Sequence, residues 1–326
     1  MDNNAKLRPL YLAKILYERT DEDHYLTTMQ LAQILEEEYG IPAHRQTIKT
    51  DIELLQQFGM DIQEVKSTQN RYNLISRQFE IAELKLLIDA VQSSKFISKE
   101  RSEQMVSKIV TLAGQHKAEE LKRNASVEGR VKSENRQDLL IVDAINEAIN
   151  ARKKIAFQYF AYNIRKQKKL RHDGERYIFS PYRLIWNGDY YYVLGYSDKH
   201  QAIGSFRVDR ISARPDILSE EAVPVPVDFG VDDFLATTFR MYGSECQEVE
   251  LICDNSVIDA IIDRFGTDVT IYACDMSTFR VIVRVAISHI FFSWIFGFGG
   301  KVRIKGPEET KRQYAVMIRD AAAELE

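Results

Sequence analysis

The residues best suited to chemistry lie close together in the stretch "GDYYYVLGYSDKHQAIGSFRVDRI", Gly188 to Ile211, where three consecutive tyrosines precede two arginines. Guanidinium forks take phosphate through two parallel N–H donors, and aromatic faces stack on bases at about 1–3 kcal/mol each. Bond-making chemistry has no comparable support. The histidines His24, His44, His116, His172, His200 and His289 are scattered without an H-E-x-x-H pair or any His/Cys metal spacing. No G-x-S-x-G elbow is present, and the glycines of "GFGGK" near Gly300 lack phosphate-loop spacing and read as a turn. The expectation is a binding protein, not an enzyme, with no cofactor and no metal.

Charge is distributed unevenly among the segments that must carry these residues. Residues 1–136 hold 20 Lys+Arg against 21 Asp+Glu, residues 137–223 hold 14 against 11, and residues 224–326 hold 10 against 16. Only the middle part is cationic. It contains "RKKIAFQYFAYNIRKQKKLRHDGER", Arg152 to Arg176, where cations interleave with Phe157, Tyr159, Phe160 and Tyr162. That composition fits either a nucleic-acid surface or a solvated hairpin tip whose lysines keep an edge strand soluble.

The chain has 326 residues, enough for several domains, and its 45% apolar and 28% charged composition excludes disordered, collagenous and disulfide-scaffold classes. Cys246, Cys253 and Cys274 form no C-x-x-C pair, which fits reduced thiols, read as small buried apolar residues in a cytoplasmic protein. The N-terminus carries no signal-peptide pattern, and the most apolar run, Val281 to Gly300, is interrupted by Arg284 and His289. That run reads as a buried strand followed by a core helix or turn, with no membrane partner.

Upstream, the first 76 residues have helical rhythm and tight punctuation. Leu10, Ala13, Leu16 and Tyr17 repeat at helical spacing. Thr27 and Gln30 predict a capping box that opens a second helix, with Leu31, Ile34 and Leu35 on its apolar stripe and Gly40 at its end. A third helix starts after Pro42, buries Ile48, Ile52 and Leu55, and stops at Gly59. "MDIQEVKSTQNRYNLI" then predicts a β-hairpin. Three helices and a hairpin make a winged helix-turn-helix, whose third helix would present Arg45, Gln46, Thr47, Lys49 and Thr50 to the major groove of a double-stranded DNA operator. Lys66, Asn70 and Arg71 at the hairpin would reach phosphates. Against this reading, residues 1–76 hold 8 Lys+Arg and 12 Asp+Glu.

Helical periodicity continues from Gln78 to Asn150 around the polar linker "NASVEGRVKSENR". Beyond it, "KKIAFQYFAY", "GERYIFSPYRLIWNGDYYYVLGYS" and "QAIGSFRVDRISARPDIL" alternate at period two, as in a small antiparallel barrel or sheet. Alternation places Phe206, Val208 and Arg210 on one face and Arg207, Asp209 and Ile211 on the other.

The order "SPYRLIWNGDYYYVLGY" then "FRVDRI" resembles the WYL domain of bacterial transcription regulators, with Tyr191-Tyr192-Val193 where that family usually has Trp-Tyr-Leu, framed by Pro181 and by Gly195-Tyr196. "HRQTIKTDIELLQQFG" resembles the family's recognition segment, and "FFSWIFGFGGKVRIKGPEETKRQYAVMIRDA" its C-terminal extension. The resemblance implies an α+β multi-domain protein: a winged helix-turn-helix over 1–76, a helical linker over 77–136, an Sm-like or SH3-like antiparallel β-barrel over 137–223, and an αβ, ferredoxin-like extension over 224–326 that supports a homodimer. It further implies a barrel that senses a nucleotide or short oligonucleotide ligand and gates DNA binding. The family's ligand positions fall on Tyr182, Arg183, Tyr192, Phe206, Arg207 and Arg210, with a structural ion pair to Asp209 or to the barrel edge as the alternative role for Arg210. His44, Gln46 and Thr50 stand where many relatives have Ser, Arg and Arg, which implies a different operator sequence and a weaker phosphate grip. The rival reading is an RNA or single-stranded nucleic-acid binding protein that uses the Sm-like barrel.

Overall fold

The computed structural model describes residues 3–66, 68–123, 132–133, 137–227, 229–230, 234 and 246–323. The chain divides into two compact units, residues 1–136 and 137–326. Most of the polar stretch 124–136, read as a linker, lies outside the described residues.

The first unit opens with α1 (Asn3–Arg19), β1 (Leu26–Thr27), α2 (Thr28–Tyr39) and α3 (Arg45–Phe58), followed by the antiparallel strands β2 (Ile62–Val65) and β3 (Arg71–Leu74). Local chemistry sets these boundaries. The Thr27 side chain accepts from the Gln30 N–H, and the Gln30 side chain accepts from the Thr27 N–H, so two otherwise orphaned donors at the start of α2 are satisfied. Gly40 at φ +63° and Gly59 at φ +108° end α2 and α3 in the left-handed region, where L-residues are strained.

Leu12, Ile15 and Leu16 of α1 pack with Leu31, Leu35, Ile48, Ile52, Leu55, Tyr72 and Leu74 in one buried cluster. Leu10, expected on the apolar stripe, is 66% exposed: the inward face of α1 lies over Leu12, Ile15 and Leu16. The other three residues at that spacing do face the core: Leu16 is fully buried, and Ala13 and Tyr17 pack against the cluster. β1 pairs with β3, so the hairpin becomes a three-stranded sheet ordered β1-β3-β2. The helices α4 (Ile81–Ser93), α5 (Lys99–Thr111) and α6 (Gln115–Arg123) complete this unit around Leu84, Ile88, Val110 and Leu121.

The second unit begins with α7 (Asp138–Ala151), whose Ile141, Ala144, Ile145 and Ala148 recur at helical spacing and are buried. The helix packs on β4 (Lys153–Phe157) and β7 (Tyr177–Asn187). These strands join β8 (Tyr190–Ser197), β9 (Ala202–Arg207) and β10 (Asp216–Glu221) in a sheet ordered β10-β4-β7-β8-β9. A separate ribbon is made by β5 (Phe160–Tyr162) and β6 (Lys168–Leu170).

The expected barrel is corrected here: no sheet among the described residues closes. Closure would require β9 to pair with β10, but the chain leaves β9 in a 3-10 turn, Val208–Arg210, and β10 pairs with β4 at the opposite edge. Both faces of the sheet centre are covered, since adjacent Val193 and Leu194 are each fully buried. Gly195 sits opposite Pro181, and a Cβ there would lie 2.1 Å from the Ser180 carbonyl oxygen and 2.7 Å from the Phe179 ring. The close approach of β7 and β8 therefore requires glycine at this position.

The remaining strands are β11 (Cys246–Asp254), β12 (Ile271–Ala273), β13 (Thr278–Ala286) and β14 (Val302–Gly306), antiparallel in the order β12-β13-β11-β14. Helices α8 (Ile258–Phe265) and α9 (His289–Phe296) interrupt them in a β-α-β-β-α-β sequence, and α10 (Glu308–Ala323) follows. The apolar run from Val281 is a buried strand followed by the core helix α9, and its glycines form the turn, with Gly299 and Gly300 at positive φ. Only Cys253 is a buried thiol, and burial pushes it up to about 11. Cys246 and Cys274 are exposed, because they lie at the start of β11 and in the turn after the edge strand β12.

Candidate nucleic-acid and ligand surfaces

An open cleft of about 190 Å³ is lined by Thr28, Met29, Arg45, Gln46, Lys49, Thr68, Gln69, Asn70 and Tyr72. It joins the first turns of α3 to the tip of the β2–β3 hairpin. Arg45 and Lys49 supply two cations, and no acidic residue lines the cleft, although this part of the chain is acidic overall. Three carboxylates of this part of the chain have partners of their own. Asp51 receives the Arg8 guanidinium at 2.5 Å, Glu38 receives Arg19 at 2.6 Å, and Glu64 accepts from Asn70 Nδ2 at 2.6 Å. The first turn of α3 holds no acid, and His44 before it makes no capping bond with its side chain. The α3 N-terminus thus combines helix N–H donors with adjacent cations, an arrangement that attracts phosphate.

Other predicted contact residues lie outside the cleft lining. Thr47 is half-buried, and the Thr50 hydroxyl donates to the Gln46 carbonyl at 3.1 Å. Lys66 is exposed at the end of β2, and the Arg71 guanidinium lies 4.3 Å from the Tyr25 ring centroid. Lys49 lies 4.0 Å from Glu53, one turn along its helix.

In the second unit, arginines and tyrosines converge on one aspartate. Arg207 donates from Nε to Asp209 Oδ1 at 3.0 Å and from Nη2 to Asp209 Oδ2 at 2.8 Å, and its guanidinium lies 3.4 Å from the Tyr190 ring centroid. Arg210 approaches the same carboxylate at 4.0 Å and the Tyr162 ring at 4.9 Å. Burial pulls the Arg207 guanidinium down, but Asp209 and Tyr190 outweigh it and the net shift is upward. The Arg207 N–H donates to Tyr159 Oη at 3.3 Å, and burial first of all pushes that phenol up to about 12. Strict alternation, which put the two arginines on opposite faces, ends with β9 at Arg207. The following 3-10 turn brings both toward Asp209.

The family comparison converges on this region. Residues 141–214 match the WYL domain. The match runs from α7 through Arg210 and so contains the whole arginine-aspartate-tyrosine cluster, while covering well under half of the chain. No protein of curated function matches in sequence. Among solved structures, the proteasome accessory factor B/C of Arthrobacter aurescens is similar at 17% identity over 94% of this chain and 45% of that chain, with a TM-score of 0.30. This chain therefore spans less than half of that structure. A CRISPR Cas-related protein is similar at 14% identity over 99% of this chain and 84% of that one, with a TM-score of 0.38. Both TM-scores are too low to establish a shared overall fold.

The other ligand positions implied by the WYL resemblance have structural occupations. Phe206 is the hub of an aromatic cluster, with centroids of Phe157, Tyr159 and Phe179 each 5.2 Å away and that of Tyr177 5.0 Å away. Tyr192 packs against Ile185 and Leu194. The Tyr182 hydroxyl donates to the Pro224 carbonyl at 3.2 Å, and Arg183 is exposed beside a bulge in β7. Tyr190 and Asp209, which complete the cluster, were not among the expected ligand residues. The V-D-R spacing was a usable signal for Asp209, but nothing local in three consecutive tyrosines singles out Tyr190.

Among the described residues no helix is long and apolar enough to cross a membrane.

Proposed function

We propose that this chain is a DNA-binding transcriptional regulator of the WYL type, acting in the cytoplasm by binding and not by catalysis. Residues 1–76 serve as a winged helix-turn-helix, with α3 as recognition helix and the β2–β3 hairpin as wing. Two copies in a homodimer place their recognition helices in successive major grooves of a palindromic operator. The WYL region binds a nucleotide or short oligonucleotide at Arg207, Arg210 and Tyr190, and gates the operator complex. Gating requires the ligand to bind DNA-competent and DNA-incompetent states with different affinity.

The observation that carries this reading is the cleft between α3 and the hairpin tip, which gathers Arg45, Gln46 and Lys49 with Gln69 and Asn70 and contains no acid. Arginine and glutamine on one exposed helical turn can address guanine and adenine edges, while lysine and the helix N-terminus position phosphate.

The test is reciprocal mutagenesis. Arg45→Ala with Lys49→Ala weakens operator binding while nucleotide binding to the WYL region persists. Arg207→Ala with Arg210→Ala removes the ligand's effect on the operator complex. If neither pair alters DNA binding or its response to ligand, the proposal is wrong. Tight binding to single strands with none to duplex would favour the RNA or single-strand reading.

A further inference from the structure

The β5–β6 ribbon borders the arginine-aspartate-tyrosine cluster, with Arg210 lying 4.9 Å from the Tyr162 ring of β5, and its turn and second strand carry the densest positive charge of the second unit. Its turn is built by Asn163, whose Oδ1 accepts from the N–H groups of Arg165 and Gln167, both at 2.9 Å, while the Asn163 N–H donates to the Gln167 carbonyl at 3.0 Å. Lys166 completes the reversal at φ +61°. The turn is thus pinned, and every residue from Tyr162 to Asp173 is exposed.

Charge compensation separates this ribbon from its surroundings. Lys154 pairs with Asp198 and Glu220, Arg176 with Asp216, Lys199 with Glu175, and Arg214 with Glu147. Arg165, Lys166, Lys168, Lys169 and Arg171 form no ion pair with a described residue. Two of the five are seated on aromatic rings at the ribbon's base: Lys168 lies 4.8 Å from the Phe160 centroid and Arg171 lies 5.6 Å from that of Tyr159. Uncompensated cations on a fixed protruding frame favour a polyanion, because binding one releases its condensed counterions.

The aromatic residues decide which polyanion. Phe157 and Phe160 are buried, and Tyr162 meets the Phe160 ring edge-on and has Arg210 4.9 Å from its centroid. From Asn163 to Lys169 the exposed turn contains no aromatic residue to act as a stacking platform. Such a surface grips a backbone whose bases are already stacked inside.

We infer that the β5–β6 ribbon is a sequence-independent arm for the phosphate backbone of duplex DNA, with Arg165, Lys166, Lys168 and Lys169 as its contacts. The inference rests on the duplex-DNA reading above and supplies what that reading lacks. The recognition cleft offers two cations in an acidic domain, too few to account for a firm electrostatic hold.

The test uses the full chain with an operator duplex, a random-sequence duplex and a single-stranded oligonucleotide, each titrated across salt concentrations. The variant Arg165→Gln/Lys166→Gln/Lys168→Gln/Lys169→Gln should flatten the log-log salt slope for duplex by about 3 to 4, since each phosphate contact contributes about 0.9. Operator and random duplex should weaken together, leaving their ratio unchanged. Lys166→Arg/Lys168→Arg/Lys169→Arg should retain the wild-type slope, which separates lost charge from lost folding. A wild-type duplex slope in the glutamine variant would overturn the arm, as would flattening only for single strands. Absence of duplex binding by the wild-type chain would instead overturn the DNA reading, and the arm with it.

Discussion

Arg207 and Asp209, two residues apart, are joined by two parallel N–H donations of 3.0 and 2.8 Å. The pair is possible because β9 stops at Arg207 and the chain turns back through Val208–Arg210. The aspartate side chain is 10% exposed and the arginine 25%, so solvent replaces little of what either would lose.

Asp209→Asn keeps the shape but removes the charge opposite two guanidinium groups. Hydrogen bonds to charged groups contribute about 1.5–3 kcal/mol, and the unfolding free energy should fall by about that amount in urea titration. An unchanged urea midpoint would show that the pair is incidental.

Tyr159 gives the fold an alkaline limit. Its phenol has an ordinary value of 10.0 and is pushed up to about 12, so the folded state holds the proton more tightly than the unfolded state. That contribution is complete below pH 10 and is lost as pH rises through about 12. Tyrosinate absorbance should lose its latest-titrating component in Tyr159→Phe, and the wild-type chain should lose stability across the same window. Loss of no late step on substitution would contradict the assignment.

Gly195→Ala should be costly despite the small change, because the new Cβ would meet the Ser180 backbone carbonyl and cannot be accommodated by a rotamer change. Overpacking commonly costs about 1–3 kcal/mol, and this site should fall at the upper end, measured by thermal unfolding. Gly188→Ala at the β7–β8 turn, where no neighbour lies within 4 Å of the added carbon, should lose less, through its φ of +59° alone. Equal losses at the two positions would refute the close-approach argument.

The parts of the fold that were legible in sequence are those determined within a few residues. Thr27 with Gln30, Gly40 and Gly59 each encode a boundary through one turn of backbone hydrogen bonding, and the structure has all of them. Which residues of a stripe face the core, and whether a sheet closes, depend on distant partners. Leu10 has the spacing of a core residue but faces out, because the neighbouring helices meet α1 at Leu12, Ile15 and Leu16. The sheet stays open because β10 finds β4 instead of β9. Phe206 illustrates the limit for sites: the WYL resemblance implied a ligand position there, and the four aromatic neighbours from other strands and turns that surround it are set by tertiary packing that no local pattern encodes.

The central claim is that the cleft between α3 and the hairpin reads duplex DNA. The most direct measurement is binding of the wild-type chain and of Arg45→Ala/Lys49→Ala to a duplex from upstream of its own gene, against random-sequence competitor at two salt concentrations. The account predicts wild-type binding that survives competitor and weakens steeply with salt, and at least a tenfold loss in the double variant, about 1.4 kcal/mol. Equal wild-type affinity for competitor, or a double variant that binds like wild type, would contradict it.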